Sequence, residues 1–374
     1  SVGAAGGFLQ GGGFGSFSKK FGLAAGSLLE AEVVLADGTV IIANRYVNSD
    51  LFWALKGGGG STFGVLSKAT LETHDLPKTL GALTGKIQAS SDSTYLQLLE
   101  YFVNFYRDAL NNEHWGEQVT FKPDNSLQIN MVFQGLTQEE AFKIWEPFKK
   151  WIEEHDNLYK GDFAIAIAPG RDFWSYKFLH NHAPAAIIPY QEGKEGMFYW
   201  SGDQISVMSY WFTSQSRWLP MRLFQPNYCK QLANTIFRVS REWEFAIHVG
   251  KGLAGSSREA AQRSKDSSIN PVCLESAALA IFGAVKHPFY PWQKLSDEDK
   301  EQGLQQVKKV NAAMKILTDA TPDSGAYSNE ADYFQENWQK AFWGDNYPRL
   351  LEIKKKYDPD HFFRTHHSIG SEFL

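Results

Sequence analysis

Cysteine is scarce. Cys229 and Cys273 are the only two in 374 residues, too few for a disulfide framework, so two buried thiols are expected rather than a bridge. An excess of positive charge is also missing. The 37 Lys and Arg against 42 Asp and Glu leave a formal net charge of −5, which argues against a nucleic-acid partner. No apolar run reaches the ~18 residues of a membrane span. There is no Asn-x-Ser/Thr sequon, so the sequence leaves location open, secretion included. There is also no initiator Met. The chain starts at Ser1 inside what reads as a motif, which suggests a processed or truncated product.

Several catalytic signatures are absent too. Neither glycine cluster fits G-x-G-x-x-G: Ser16 and Thr62 stand where a third glycine belongs, so a Rossmann dinucleotide site is unsupported. There is no P-loop and no nucleophile elbow. His180-Asn-His182 and His366-His367 are the only histidine clusters. Neither has a carboxylate or Cys at a metal-like spacing, so no metal is expected.

Glycine, by contrast, is concentrated. Seven of the first fifteen residues are Gly, in Ser-Val-Gly-Ala-Ala-Gly-Gly-Phe-Leu-Gln-Gly-Gly-Gly-Phe-Gly. Such a stretch buries few side chains but lets backbone N–H groups approach an anion or a flat polar ring. Phe8, Leu9, Phe14 and Phe17 are too apolar for a solvated linker. A second run, Gly57-Gly-Gly-Gly-Ser-Thr-Phe-Gly64, follows a short apolar segment. With a strand pattern between them, the two clusters suggest one cofactor cradle. Aromatics are dense at 14%; most belong in a core, and Trp200, Trp211 and Trp218 are candidate stacking platforms.

Along the chain, Leu29–Leu35 and Thr39–Ala43 read as a hairpin about Asp37-Gly38. Asp50–Lys56 reads as a helix stopped by Gly57, and Phe63–Thr73 as a strand. After Pro77, Ser91–Leu110 carries apolar residues at helical spacing, and Gln118–Phe121 with Leu127–Gln134 reads as a hairpin. Thr137–Glu154 is a helix capped by Thr137 and Glu140. Strands are expected at Phe163–Ala168, Ile205–Phe212 and Phe245–Val249, and helices at Pro226–Glu242, Asp297–Thr318 and Trp338–Tyr357. The whole is α+β, with an antiparallel sheet covered on one face by helices. The polar, aromatic loop Gly325–Tyr333 between two helices is a natural place for site residues. His248, Lys251 and Tyr210 are further groups able to face a ligand, although a core role suits His248 better.

The segments Gly6–Gly15, Phe21–Ala25, Glu32–Gly38, Asp50–Gly60 and Phe63–Leu66 resemble the berberine-bridge-enzyme-like FAD-linked oxidases of the vanillyl-alcohol-oxidase, or PCMH-type, FAD-binding superfamily. So do Ala326–Tyr333, Phe342–Leu350 and Lys355–Phe363. The resemblance spans the chain. It implies a partial FAD-binding domain over 1–80, a substrate-binding domain over 81–318, and a C-terminal segment, 319–374, that returns to the FAD domain. It also implies that the N-terminal half of the FAD domain, with both covalent flavin anchors, lies outside this chain, so that a second polypeptide segment is an expected partner.

By the same resemblance FAD is the cofactor, with Val2, Gly3, Gly6, Gly7, Phe8, Gly11, Gly12, Gly13, Phe14, Gly15, Gly22, Leu23, Gly64 and Val65 as candidate cofactor-binding residues. Val2 falls near the family's oxygen gate, and Phe8 stands where some members have a flavin-directed His. Gly26-Ser27 replace the usual Asp-Asn. Tyr327, Asn329 and Glu330 are the candidate catalytic residues, with Glu330 where many members have Tyr. The implied reaction oxidises an alcohol or activated C–H of a carbohydrate, phenol or secondary metabolite by hydride transfer to flavin N5, O₂ then giving H₂O₂. The alternatives are a flavin dehydrogenase or oxidative cyclase, and a non-catalytic ligand-binding or assembly fragment.

Overall fold

The computed structural model describes residues 3–189, 196–206 and 208–373. Two antiparallel sheets carry most of the architecture. The smaller has the order β2-β1-β3, from β1 (Leu28–Val34), β2 (Val40–Asn44) and β3 (Val65–Leu71). Its hairpin turns at Gly38, whose φ is +84°, while the Thr39 N–H donates to Asp37 Oδ1 at 2.9 Å. Ahead of it lies the short helix α1 (Ser18–Phe21), and after β2 comes α2 (Ser49–Leu55).

The core of this half draws on both ends of the chain. Leu9, Val33, Leu51, Phe52 and Phe63 pack with Phe342, Trp343, Leu350, Ile353 and Ile369.

The larger sheet has seven strands in the order β10-β12-β11-β5-β6-β4-β7. They are β4 (Thr79–Ala89), β5 (Trp115–Phe121), β6 (Ser126–Gln134), β7 (Tyr159–Pro169), β10 (Tyr210–Pro220), β11 (Phe245–His248) and β12 (Ser276–Lys286). A separate two-stranded pair joins β8 (Ile187–Pro189) and β9 (Phe198–Trp200). One face of the large sheet is covered by α3 (Asp92–Phe105), α4 (Gln138–Glu153), α6 (Cys229–Glu242) and α8 (Asp297–Ala320). The shorter helices are α5 (Tyr176–His182), α7 (Arg258–Lys265), α9 (Trp338–Trp343) and α10 (Tyr347–Tyr357).

The sequence pattern explains the covered face. On α3, Tyr95, Leu98, Leu99, Phe102 and Val103 recur at helical spacing and are buried. On β6, Leu127, Ile129, Met131 and Phe133 alternate inward with Gln128, Asn130 and Val132. The capping box expected from sequence is present at Thr137/Glu140, and two more form at Ser91/Thr94 and Ser296/Asp299. Cys229 and Cys273 are free and buried.

Three expectations need correction. The strand expected at Ile205–Phe212 instead begins at Tyr210 and runs to Pro220, and 201–206 form a 3₁₀ turn. The single helix expected over Trp338–Tyr357 is two, divided at Gly344 where φ is +54°. Strands β4 and β12, not expected from the sequence, each pair with two neighbours.

Candidate active site

The two glycine clusters meet. The Gly59 N–H donates to Gln10 O at 2.9 Å, and a Cβ on Gly60 would stand 2.8 Å from Gly6 O. Gly3, just before the turn Ala4–Phe8, and Gly6 and Gly7 within it are exposed, and nothing lies within 4 Å of a Cβ placed on any of them. Together these residues make an open glycine ledge. Beneath it, the carboxamide oxygen Oε1 of buried Gln10 has no hydrogen-bond partner.

The rest of the first cluster folds back as support. Ala24 and Ala25 N–H groups donate to Gly13 O and Gly12 O, both at 3.0 Å. Gly22 and Leu23 lie against α7, the Leu23 N–H reaching Ser264 Oγ at 3.4 Å. The Phe8 ring borders Gly13, and the Gly15 N–H bonds Ser18 Oγ at 2.8 Å. Gly64 packs on Val33 and Val34, and Val65 opens β3, which touches the first turn. Val2 lies outside the described residues.

The loop 325–333 arrives over this ledge. It is tied to the edge strand β10, where the Tyr327 N–H donates to Ser216 Oγ at 3.0 Å and the Trp218 N–H to Gly325 O at 2.9 Å. Asn329 Nδ2 donates both to Gly7 O and to the Tyr327 hydroxyl, each at 3.0 Å. Gly11 has to be glycine for this, since a Cβ there would stand 2.3 Å from Asn329 Nδ2. The Tyr327 ring is buried edge-on against Phe14, with centroids 5.0 Å apart. Burial, reinforced by the Glu330 carboxylate, pushes the Tyr327 phenol up, while Asn329 and the amides of Gly13 and Phe14 oppose the rise. Tyr327 is therefore a neutral phenol at ordinary pH.

Glu330 has two unlike oxygens. Its Oε1 accepts from Lys251 Nζ in a short ion pair, and its Oε2 is buried with no partner. Asn329 thus meets Gly7 and Gly11 at the ledge with Tyr327 bonded to it, and Glu330 follows on the same loop, turned to Lys251. Gly22, Leu23, Gly64 and Val65 stand behind or beside the ledge. A cavity of about 290 Å³ runs between the second glycine cluster and the loop, lined by Gly59, Gly60, Asn329, Tyr333 and Trp343. A larger hollow of about 810 Å³ lies along α8 and the 332–341 segment, where Gln215 and Arg217 bond Asn311, Asp332 and Thr321. Those bonds occupy its polar groups in structural roles, so the smaller cavity beside the loop is the better candidate.

The uncovered face of the large sheet continues the site. By register, Thr84, Asn130, Gln118 and His248 stand side by side across four strands, with Lys86, Gln128, Thr120 and Ala246 in the adjoining row. This row of amides and hydroxyls is legible in the alternation of β5 and β6, and it was not picked out from the sequence alone. His248 is held neutral, pushed down to about 3 by burial and by the neighbouring Lys251 ammonium. Of the three tryptophans considered as platforms, Trp218 is core, Trp211 is exposed, and Trp200 packs with Phe173 and Phe198.

The family model described as "Berberine and berberine like" matches residues 326–370, the segment that carries Tyr327, Asn329 and Glu330. The FAD-linked oxidoreductase ZEB1 of Gibberella zeae is 30% identical over 375 residues, covering 100% of this chain and 59% of that protein. The chain is similar throughout to the berberine-bridge-enzyme-like, VAO-type family of FAD-linked oxidoreductases. Within that family, the VAO-type flavoprotein oxidase VAO615 of Thermothelomyces thermophilus is 28% identical over 100% of this chain and 59% of its own length. The crystal structure of MtVAO713 from Myceliophthora thermophila superposes with a TM-score of 0.76 at 23% identity, covering 100% of this chain and 62% of that one. Glucooligosaccharide oxidase from Acremonium strictum gives 0.71 at 20% identity, covering 97% and 70%. These structures share the fold. The chain spans about 59% of the length of the curated relatives named here. A second polypeptide segment, expected above, finds no support in these matches.

Proposed function

We propose that this chain is the substrate-facing part of an FAD-dependent oxidoreductase that oxidises an alcohol or activated C–H carbon. The observation that carries the reading is Glu330 Oε2, a buried carboxylate oxygen without a donor, on the loop whose Asn329 bonds Gly7 of the glycine ledge. An acceptor so placed suits the removal of a hydroxyl proton. The ledge fits a flavin: its glycines leave room for close approach, and the orphaned Gln10 Oε1 beneath it is an acceptor for a buried N–H donor. Gly6, Gly7, Gly11 and Gly60 would hold the cofactor, with residues 1–80 and 319–374 as its domain and 81–318 as the substrate domain. When bound, FAD would supply a hydride acceptor at N5, with O₂ as the terminal oxidant and H₂O₂ as its product.

This chain's own residues do the rest. Glu330 Oε2 accepts the substrate's hydroxyl proton. Asn329, fixed by Gly7 O, orients the ligand beside the neutral Tyr327 phenol. The unpaired amides and hydroxyls of Thr84, Gln118, Gln128 and Asn130 favour a hydroxyl-rich substrate such as a carbohydrate. Oxidation of a carbohydrate is what the names of two solved relatives in fold describe, glucooligosaccharide oxidase and the carbohydrate oxidase of Microdochium nivale.

The test is a flavin absorption spectrum together with peroxide release on a panel of sugars and phenols. Flavin with peroxide supports an oxidase, and flavin turnover without peroxide a dehydrogenase. A colourless protein that releases no peroxide would leave a ligand-binding role. In the flavin-loaded protein, Glu330→Gln is expected to lower kcat by about 10² to 10⁴, the range for loss of a general base. Unchanged turnover would remove Glu330 from the mechanism.

A further inference from the structure

The segment Gly250-Lys251-Gly252 is a wedge. A Cβ on Gly250 would stand 2.5 Å from Ser16 O, and one on Gly252 would stand 2.3 Å from Ser276 O. The turn is therefore clamped between the glycine cradle on one side and the start of β12 on the other. The Lys251 N–H closes it by donating to His248 O at 3.2 Å. Both flanking residues are glycine because neither neighbour leaves space for a side chain. The one side chain the turn does carry is mostly buried and points at the site. Its Nζ pairs with Glu330 Oε1 and lies 6.0 Å from the centre of the Tyr327 ring, within cation–π range.

We propose that Lys251 is a positioning residue for the reaction. It fixes Glu330 through Oε1, so that Oε2 is presented, unpaired, to the substrate hydroxyl. This rests on the reading of Glu330 given under Proposed function, and extends it to a residue from a different element. Among the described residues, Tyr327 on the same loop and His248 one turn back are the titratable groups coupled to the pair. His248 is held neutral and Tyr327 is a neutral phenol, so Lys251 supplies the cation that Glu330 meets. The clamp fixes the backbone that carries Lys251, so the pair is in place before substrate arrives.

The experiment compares Lys251→Met, Lys251→Arg, Glu330→Gln and the double variant Lys251→Met/Glu330→Gln in the flavin-loaded protein. Lys251→Met is expected to lower kcat by about 10- to 100-fold with KM within about threefold, as for a misplaced rather than a missing catalytic group. Lys251→Arg keeps the charge and is expected to recover most of the loss. The double variant should be no slower than Glu330→Gln alone, because the two residues act as one unit. A crystal structure of Lys251→Met should show the Glu330 carboxylate turned from its present place, a readout independent of turnover.

If Glu330→Gln is inactive while Lys251→Met keeps both wild-type kcat and the Glu330 position, the positioning role is wrong and the Glu330 reading stands. If Glu330→Gln is fully active, both fall. Should Lys251→Met fail to fold, Lys251→Gln and Lys251→Arg decide the matter: equal kcat in the two would overturn the proposal.

Discussion

Gly11 shows how closely the site is fitted at the scale of a single residue. Its missing Cβ is the space occupied by the Asn329 carboxamide, which in turn links Gly7 O to the Tyr327 hydroxyl. The atoms that a methyl group at position 11 would meet belong to the end of a side chain, so Asn329 can swing aside and the backbone need not move. Gly11→Ala is therefore expected to leave the melting temperature close to wild type. It should lower kcat by about 10²-fold, the loss associated with a displacement of about 1 Å at a reacting centre. A large fall in melting temperature with unchanged kcat would mean that Asn329 has only a structural role. Glu330 is the companion case: two oxygens of one carboxylate, one held by an ammonium and one left without a donor, and only the second is available for chemistry.

Among the elements, helix α4 offers a direct check of local reasoning. Its Thr137 hydroxyl accepts from the Glu140 N–H at 3.2 Å, and the Glu140 carboxylate accepts from the Thr137 N–H at 2.8 Å. Thr137→Ala should cost about 1 kcal/mol of unfolding free energy, measured by denaturant titration, without affecting the site. This helix was legible because cap and period agree.

Strand β10 was not legible past Phe212, for a physical reason. Its polar run Thr213–Arg217 looks like a loop, yet most of it is buried, because Gln215, Ser216 and Arg217 find partners on the returning C-terminal segment or α8. Gln215 bonds Asn311 and Asp332, Ser216 bonds the Tyr327 N–H, and Arg217 bonds Thr321. Strand β4 is masked by Gly81 and Gly85, which read as breakers. In the fold they are glycine because the Phe133 ring and Phe163 lie where their side chains would be. Strand β12, Ser-Ala-Ala-Leu-Ala-Ile-Phe-Gly-Ala-Val-Lys, is an apolar run with no period to separate strand from helix. The candidate catalytic loop itself was visible in sequence. Lys251 was visible there as a group able to face a ligand, but its pairing with Glu330 was not, because the pair joins positions 79 residues apart.

On the scale of the whole molecule, one buried charge joins the two halves. Lys19, on the first helix after the cradle, sends Nζ to the Tyr106 hydroxyl at 3.1 Å, Asn111 Oδ1 at 2.5 Å and Ala277 O at 3.0 Å. It is fully buried, and desolvation pushes it from 10.5 down to about 7. The unfolded chain holds this proton up to its ordinary value, while the folded chain releases it near 7. Between those two pH values the unfolded state binds more protons, so the contribution of Lys19 to stability increases as pH rises through that window. Below it the contribution no longer varies with pH. Relative to Lys19→Met, the wild-type protein should gain up to about 1.4 kcal/mol per pH unit between pH 7 and 10. Chemical denaturation of both proteins at several pH values measures this, and parallel curves would show that Lys19 keeps its proton when folded.

The core that draws on both chain ends has a temporal consequence. During synthesis, Leu51, Phe52 and Phe63 leave the ribosome some three hundred residues before Leu350, Ile353 and Ile369, the partners that shut them from water. At a translation rate of roughly 5–20 residues per second, that apolar surface waits a quarter of a minute to a minute. The seven-stranded sheet needs nothing beyond α8 to complete its own core, and so can close in that interval. The nascent chain therefore presents a finished second half tethered to an unfinished first one. That interval, before the last helices emerge, is when a chaperone would have most to do.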